Sequence, residues 1–446
     1  MLGMEQNLTV GNPERLLWRF CLPLLGSMLF QQLYNIADTI VAGNYIGESA
    51  LAAVGNSYEI TLVFIAVSVG CNMGCSVIVS RLYGANRRRE MKMAISTAMI
   101  ASAVICAIFT VAGLFLSPIL LTAIRTPADV FQDSLLYLRI YVFGFPFVLF
   151  YNISNGIFSA VGDSRTPFVF LACSSVGNIL LDLLFVVVFD WGIAGVAWAT
   201  FFCQGIGCIL AVGVVIRRLQ KMVSDEPAEQ FSSSMLKSFG RTALPSICQQ
   251  IVVPVGNIII QSIINGYGSA VMAGFCAGIK LCSVVTGCLA TLCSGIAAFT
   301  AQNIGANKPQ RVKYGLRVGI KMTWAFSVPI MLLYWFWGEA LVRFFIEEPT
   351  TESLATGVEI LRIIGPGLLV VSVKHVLDSI LRGAGKMGQF LFVTVAGLIL
   401  RVMLAHILPE MLSSTMGIWL AWPIGWTLST CISYGFYSNT IKKENI

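Results

Sequence analysis

The sequence predicts an all-α polytopic membrane protein, with twelve transmembrane helices in two pseudo-symmetric six-helix bundles related as parallel repeats. Three observations carry that reading. Hydrophobic residues make up 57% of the 446 and charged residues 11%, with a mean hydropathy of +0.80. A soluble chain carries about a quarter charged residues. Laid over itself at a shift of 221 to 223 residues, the chain matches in detail. Gly84-Ala85-Asn86 falls on Gly305-Ala306-Asn307, Leu138-Arg139-Ile140 on Leu361-Arg362-Ile363, Pro23 on Pro245 and Pro127 on Pro349. Finally, polar gaps separate six long apolar stretches in each half. Two fused, similar bundles are a common build of secondary transporters, with the substrate passing between them.

The stretches run at 14–43, 50–81, 92–118, 130–158, 166–189 and 193–217, then 238–265, 270–303, 314–345, 353–382, 387–408 and 417–440. About 20 apolar residues span a bilayer; the longer runs are accommodated by tilt or by ends that protrude into water. Met1 to Glu14 is polar and lacks a small-residue cleavage site, so no cleavable signal peptide is expected.

Lys and Arg set the orientation. With the N-terminus inside, 22 of the 29 basic residues fall on cytoplasmic ends and loops, among them Arg87, Arg88, Arg89, Arg217, Arg218, Lys308 and Arg311. The opposite loops hold acids such as Glu347, Glu348 and Glu352. This bias, with an even helix count, places both termini in the cytoplasm. The net charge of +7 therefore reports topology, and no basic soluble domain exists for a nucleic acid. Residues 1–217 are read as the first lobe, 218–237 as a cytoplasmic linker and 238–446 as the second lobe.

Two motifs are set aside on context. Thirteen cysteines lie mostly inside apolar stretches, and with only two histidines they read as small packing residues, not metal ligands. Gly383 to Gly388 reads G-A-G-K-M-G, yet no strand precedes it and no βαβ unit surrounds it, so it fails as a dinucleotide fingerprint. The Gly-Ala-Asn turns read as helix ends, since Gly and Asn tolerate the left-handed conformation there. With no phosphate loop, metal cluster or nucleophile triad, neither an enzyme nor an ATP-driven pump is expected.

Ionisable groups at membrane depth are costly and mark function by default. Tyr34 and Asp38 lie four apart on helix one, and Asn178 and Asp182 repeat that spacing on helix five. Helix four adds Asn152, Asn155 and Tyr137, and helix six adds Thr200. These are hard oxygen ligands and hydrogen-bond partners, suited to a small cation or a proton relay. Two carboxylates brought together in low dielectric would hold a cation between them or share a proton. Pairing across helix interfaces is the competing role for each. The second half lacks this set, for Asp38 aligns with Ile260 and Asp182 with the neighbourhood of Ala405. Its own polar group is Lys374, His375 and Asp378 on helix ten, with Lys280 on helix eight aligned to Glu59 on helix two. These are candidate substrate contacts, although Lys374 and Asp378, four apart, would also neutralise each other within one helix.

Over essentially its whole length the chain resembles the multidrug and toxic compound extrusion (MATE) family. The family's helix-one tyrosine and aspartate are matched by Tyr34 and Asp38, and a proline at which helix one bends in some members by Pro23. Its first-lobe polar network is matched by Tyr137, Asn152, Asn155, Asn178, Asp182 and Thr200, and the segment after helix four by Gly162-Asp163-Ser164-Arg165-Thr166-Pro167. Residues 239–264 contain no Asp or Glu, unlike the NorM-like branch, which places the chain nearer the DinF-like members.

The resemblance implies an antiporter of the bacterial cytoplasmic membrane that exports organic, often cationic or amphipathic, compounds in exchange for H⁺ or Na⁺. It implies no further cofactor, no nucleic-acid partner, membrane lipid as surroundings and a monomeric state. A sodium ion would sit at Asp38, Asn178, Asp182 and Thr200. A flippase for a lipid or lipid-linked precursor is the alternative; Arg139, Lys280, Arg362, Lys374 and Arg401 would then form a cationic cavity. The topology is open to direct test. Cysteines placed in loops 82–92 and 303–313 are expected to resist impermeant thiol reagents in intact cells, and labelling from outside would invert the whole scheme.

Overall fold

In hydrocarbon no water satisfies the backbone, so an apolar run closes its own hydrogen bonds as a helix. In chain order the helices are α1 (Pro13–Val41), α2 (Glu48–Gly84), α3 (Arg88–Ala123), α4 (Phe131–Ala160), α5 (Arg165–Leu183) and α6 (Gly192–Lys221). The second series is α7 (Ser233–Asn265), α8 (Ser269–Gly305), α9 (Pro309–Phe345), α10 (Thr351–Gly383), α11 (Met387–Leu412) and α12 (Met416–Lys443). A π-helical turn, Leu184–Val188, extends α5. This computed structural model describes residues 6–41, 45–46, 48–222, 229–346 and 350–443; the side chains at 34–40, 48–52, 59 and 441–443 also lie outside the description. No strand occurs among the described residues. Ten of the helices are long and apolar enough to cross a membrane.

Turn chemistry repeats between the halves. Asn86 and Asn307 both take the left-handed conformation, at φ 56° and 55°. Gly162 and Gly385 also match, at φ 76° and 71°. Gly383 to Gly388 is thus the turn from α10 to α11, which disposes of the nucleotide fingerprint on structural grounds. Gly162 has a further reason to be glycine, because a Cβ there would meet the Gln6 carbonyl oxygen.

By internal packing the chain divides into two compact units, Met1–Asn7 with Leu22–Ile251 and Leu8–Cys21 with Val252–Ile446. The split cuts two helices: α1 changes unit between Cys21 and Leu22, beside Pro23, and α7 between Ile251 and Val252, near Pro254. α1 nonetheless passes through Pro23 as one helix.

In unit 1, α4 packs along α2, α3 and α6. Its core is aromatic, with Phe64 edge-on to Phe145 at 5.2 Å and to Phe109 at 6.3 Å. Gly70 and Gly74 of α2 let the backbone of α7 at Ile247 and Ala243 approach within van der Waals distance. In unit 2 the equivalent helix, α10, packs along α8, α9 and α12. The fully buried Trp419 stacks on Phe275 at 5.7 Å. The polar arm before α1 belongs to this unit. Leu8, fully buried, donates its N–H to Gln302 Oε1 at 2.9 Å, and its carbonyl accepts from Asn303 Nδ2 at 3.3 Å and Arg311 Nη2 at 3.2 Å. Lys308 Nζ donates to the Thr9 carbonyl at 3.0 Å and Arg311 Nη1 to that of Gly11 at 2.9 Å.

The start of α5 is held by a buried carboxylate. Asp163 accepts from the N–H groups of Arg165 at 3.2 Å and Thr166 at 3.0 Å, from Thr166 Oγ1 at 2.6 Å and from Arg218 Nη2 at 2.5 Å. The Arg218 guanidinium also lies over the Phe158 ring, 5.2 Å from its centroid. Asp163→Ala would strip the cap from α5 and leave Arg218 uncompensated. A stability loss of about 3 kcal/mol, the lower end for a broken buried pair, is expected. A thermal melt in detergent measures it, and Asp163→Asn should lose less because the amide oxygen still accepts from the helix N–H groups.

Candidate functional site

The polar positions singled out in the first half fall on α1, α4, α5 and α6. Asn178 and Asp182, one turn apart on α5, are 1% and 0% exposed. α5 packs along α6, where Ser174 Oγ donates to the Cys203 carbonyl at 3.2 Å. Immediately after Asp182 the helix widens: the Phe189 N–H reaches back five residues to the Leu184 carbonyl at 3.0 Å. Single π turns recur at functional positions inside α-helices. Across from it, Gly195 of α6 sits where a Cβ would stand 3.1 Å from the Phe185 carbonyl carbon.

Tyr137 of α4 and Thr200 of α6 line one narrow crevice, together with Tyr141 and Gln204. Its volume, about 10 Å³, is close to that of a single water probe, so it can accept a water or a small ion and no organic molecule. Tyr137 and Leu183, the neighbour of Asp182 in the chain, pack against the cluster of Val41 at the end of α1, Val186 in the π turn and Val196 of α6. Asn155 is half-buried, and its Oδ1 accepts no hydrogen bond among the described residues. Asn152 is turned to its own helix, donating from Nδ2 to the Val148 carbonyl at 2.9 Å. The side chains of Tyr34 and Asp38 lie outside the described residues; both positions are helical in α1. Among the described residues no group of three or more His, Cys, Asp and Glu is arranged for a metal ion.

In unit 2 the Lys374 Nζ donates to Asp378 Oδ2 at 2.6 Å, with side chains 13% and 4% exposed, and Ser433 Oγ of α12 donates to Asp378 Oδ1 at 2.7 Å. Lys280 is exposed, His375 is half-buried, and the Glu59 side chain lies outside the described residues. Several polar contacts escaped sequence reasoning. Glu359 of α10 accepts from the indole N–H of Trp419 at 3.1 Å; an acid inside an apolar run, it gave the same signal that singled out Asp38. Arg382 donates to Ser379 Oγ at 2.7 Å and lies 5.4 Å from the Phe390 ring. Arg401 donates to Asn257 Oδ1 at 2.7 Å and lies 4.9 Å from the Trp422 ring. Except for Ser379, three residues before Arg382 on α10, these partners come from other helices, so spacing along the chain could not reveal them.

Two matched six-helix series with oxygen-bearing side chains buried in their apolar interior define a polytopic membrane protein of transporter build. The chain belongs to the MatE family, whose model matches residues 23–184 and again 245–407. The two matches are offset by 222 to 223 residues (23 to 245, 184 to 407), the shift of the internal repeat. The probable multidrug resistance protein YpnP of Bacillus subtilis is 30% identical over 434 residues, covering 96% of each chain. A protein named as an FAD transporter in Shewanella oneidensis is 26% identical over 347 residues, 75% of each chain. Among solved structures, a MATE protein in the straight conformation superposes with a TM-score of 0.91 at 20% identity, covering 100% of both chains. A MOP superfamily transporter from Pyrococcus furiosus reaches 0.92 at 19% identity, again over 100% of both. The family is one of transporters.

The Lys374–Asp378 pair yields a stability prediction. Asp378→Asn would leave a nearly buried ammonium without its counter-charge, at a cost of about 3 kcal/mol or more. Lys374→Gln combined with Asp378→Asn should recover most of that loss. Melting curves of the single and double variants form the cycle that checks it.

Proposed function

We propose that this chain is a cation-coupled antiporter that exports organic, often cationic or amphipathic, compounds across the bacterial cytoplasmic membrane in exchange for H⁺ or Na⁺. The observation that carries this reading is Asp182, a fully buried carboxylate one turn from Asn178 in an otherwise apolar helix. The relatives named as multidrug resistance proteins supply the substrate class. A carboxylate in low dielectric binds a proton or a cation far better than it stays bare. Loading the first-lobe site, with Asp38, Asn178, Asp182 and Thr200 as its oxygen donors, would favour a conformation of lower substrate affinity. Release of the ion on the opposite side would reset it, as linkage between two ligands requires. Asn155, with its unused carbonyl oxygen, and the one-water crevice at Tyr137 and Thr200 offer further donors and a route for a proton. Asn152, committed to its own helix, plays a lesser part, and Pro23 is the proposed bend in α1.

In unit 2, Asp378 and Lys374 neutralise each other, so the cluster around them, with His375, Lys280 and Glu59, is assigned to substrate range and not to coupling. The same pairing weakens the flippase reading, because it removes Lys374 from any cationic cavity. Arg401 against Trp422 is the exception: a guanidinium beside an aromatic face suits an anionic aromatic substrate, and one relative bears the name of an FAD transporter.

Purified protein in liposomes with an imposed pH or Na⁺ gradient tests the coupling. Asp182→Asn keeps the size and hydrogen bonding of the side chain but cannot cycle between charged and neutral states. It is expected to insert and fold yet abolish gradient-driven efflux. Asp38→Asn should do the same, and the double variant should be little worse than either, since residues acting as one unit are not additive. Near-normal antiport by well-folded Asp182→Asn would reduce Asp182 to a helix-packing group.

A further inference from the structure

Unit 1 contains a second cavity, at the end of the bundle that carries the basic loops. Three helix ends meet there: the C-terminus of α2, the N-terminus of α3 and the C-terminus of α6. The cavity measures about 380 Å³, within the roughly 300–1,000 Å³ of ordinary small-ligand sites. Among the described residues its charged lining is basic, comprising Arg88, Arg218 and Lys221. Arg218 is already held by Asp163. Arg88 and Lys221 are both exposed, and among the described residues neither forms an ion pair. Leu82, Met91 and Met222 supply the apolar part of the same lining.

The matching turn in unit 2 shows what such a place ordinarily does with its charge. There Lys308 and Arg311, just after Gly305-Ala306-Asn307, are taken up by the backbone carbonyls of Leu8, Thr9 and Gly11. After Gly84-Ala85-Asn86 the first repeat instead leaves a cavity lined by two exposed cations. Its position at the start of α3 adds the positive end of a helix. An Arg fork and a Lys ammonium together suit phosphate oxygens, and an apolar lining beside them suits the rest of an amphiphile.

We infer that this cavity is a binding site for a phosphate-bearing anion, the phosphate being gripped by Arg88 and Lys221. A basic pocket between helices on the cytoplasmic side meets such chemistry in the headgroups of anionic phospholipids, and in solution as free phosphate. The site is separate from the polar network of α4, α5 and α6, so it stands whether or not the transport reading does.

Native mass spectrometry of the purified full-length protein, titrated with phosphatidylglycerol, phosphatidylcholine or inorganic phosphate, tests the site. Wild type is expected to take up one phosphatidylglycerol more tightly than phosphatidylcholine. The Arg88→Ala, Lys221→Ala double variant should lose about thirtyfold in that affinity, each cation near a membrane surface contributing roughly fivefold. The Arg88→Lys, Lys221→Arg swap should retain most of it, and all three proteins should melt together because neither side chain forms an ion pair among the described residues. Loss of the lipid adduct that millimolar phosphate cannot reproduce by competition assigns the site to lipid. Displacement by phosphate, with phosphate uptake also lost in the double variant, assigns it to the soluble anion. Equal binding of both probes by wild type and double variant overturns the proposal.

Discussion

Hydrocarbon offers no partner to a charge or a polar hydrogen, and this fold is arranged around that constraint. Within the units the strong polar groups come in sets drawn from different helices. Asp163 at the head of α5 meets Arg218 from α6, Asp378 of α10 meets Ser433 from α12, Glu359 meets Trp419, and Arg401 meets Asn257. Each pair fixes one helix against another at a chosen depth and rotation, something apolar contact with lipid-like side chains does poorly. Aromatic cores and glycine contacts then fill the space between these pins.

Against that background the two repeats differ in one respect. They share helix order, turn conformations and the central role of α4 and α10. What differs is the handling of carboxylates. In unit 2 Asp378 is neutralised by a lysine one turn away and by a serine hydroxyl. In unit 1 Asp182 is fully buried one turn from Asn178 and just before a π turn. The first arrangement compensates a carboxylate with a lysine of its own helix; under the proposed function, the second is the one that answers to an ion.

Much of this was legible in the chain itself. Helix number and order follow from the apolar runs, and the left-handed Asn86 and Asn307 follow from the paired Gly-Ala-Asn turns. Pairing of Lys374 with Asp378 follows from a four-residue spacing. Contacts that close over long sequence distances left no such trace. Arg218 gave no sign that it would reach Asp163, and Arg401 gave none toward Trp422, because a cation–aromatic contact between helices has no periodicity. The π turn after Asp182 was equally invisible: Leu184–Val188 is an unremarkable apolar run, and its close approach to Gly195 of α6 is a contact between helices that local sequence does not encode. Nothing in the polar N-terminal segment marked Leu8, yet it is among the most buried residues of unit 2.

That arm bears on how the protein is made. Leu8 binds Gln302 across 294 residues of chain. At roughly 5–20 residues per second of synthesis, the first segment to emerge waits about 15 to 60 s before α8 and α9 exist to receive it. Unit 2 therefore cannot close until a piece held since the start of translation is delivered to it. Unit 1 differs, since all of its chain exists once the first half of α7 is made. Assembly is thus ordered by topology: a chain released soon after Ile251 could complete unit 1 and would leave unit 2 open.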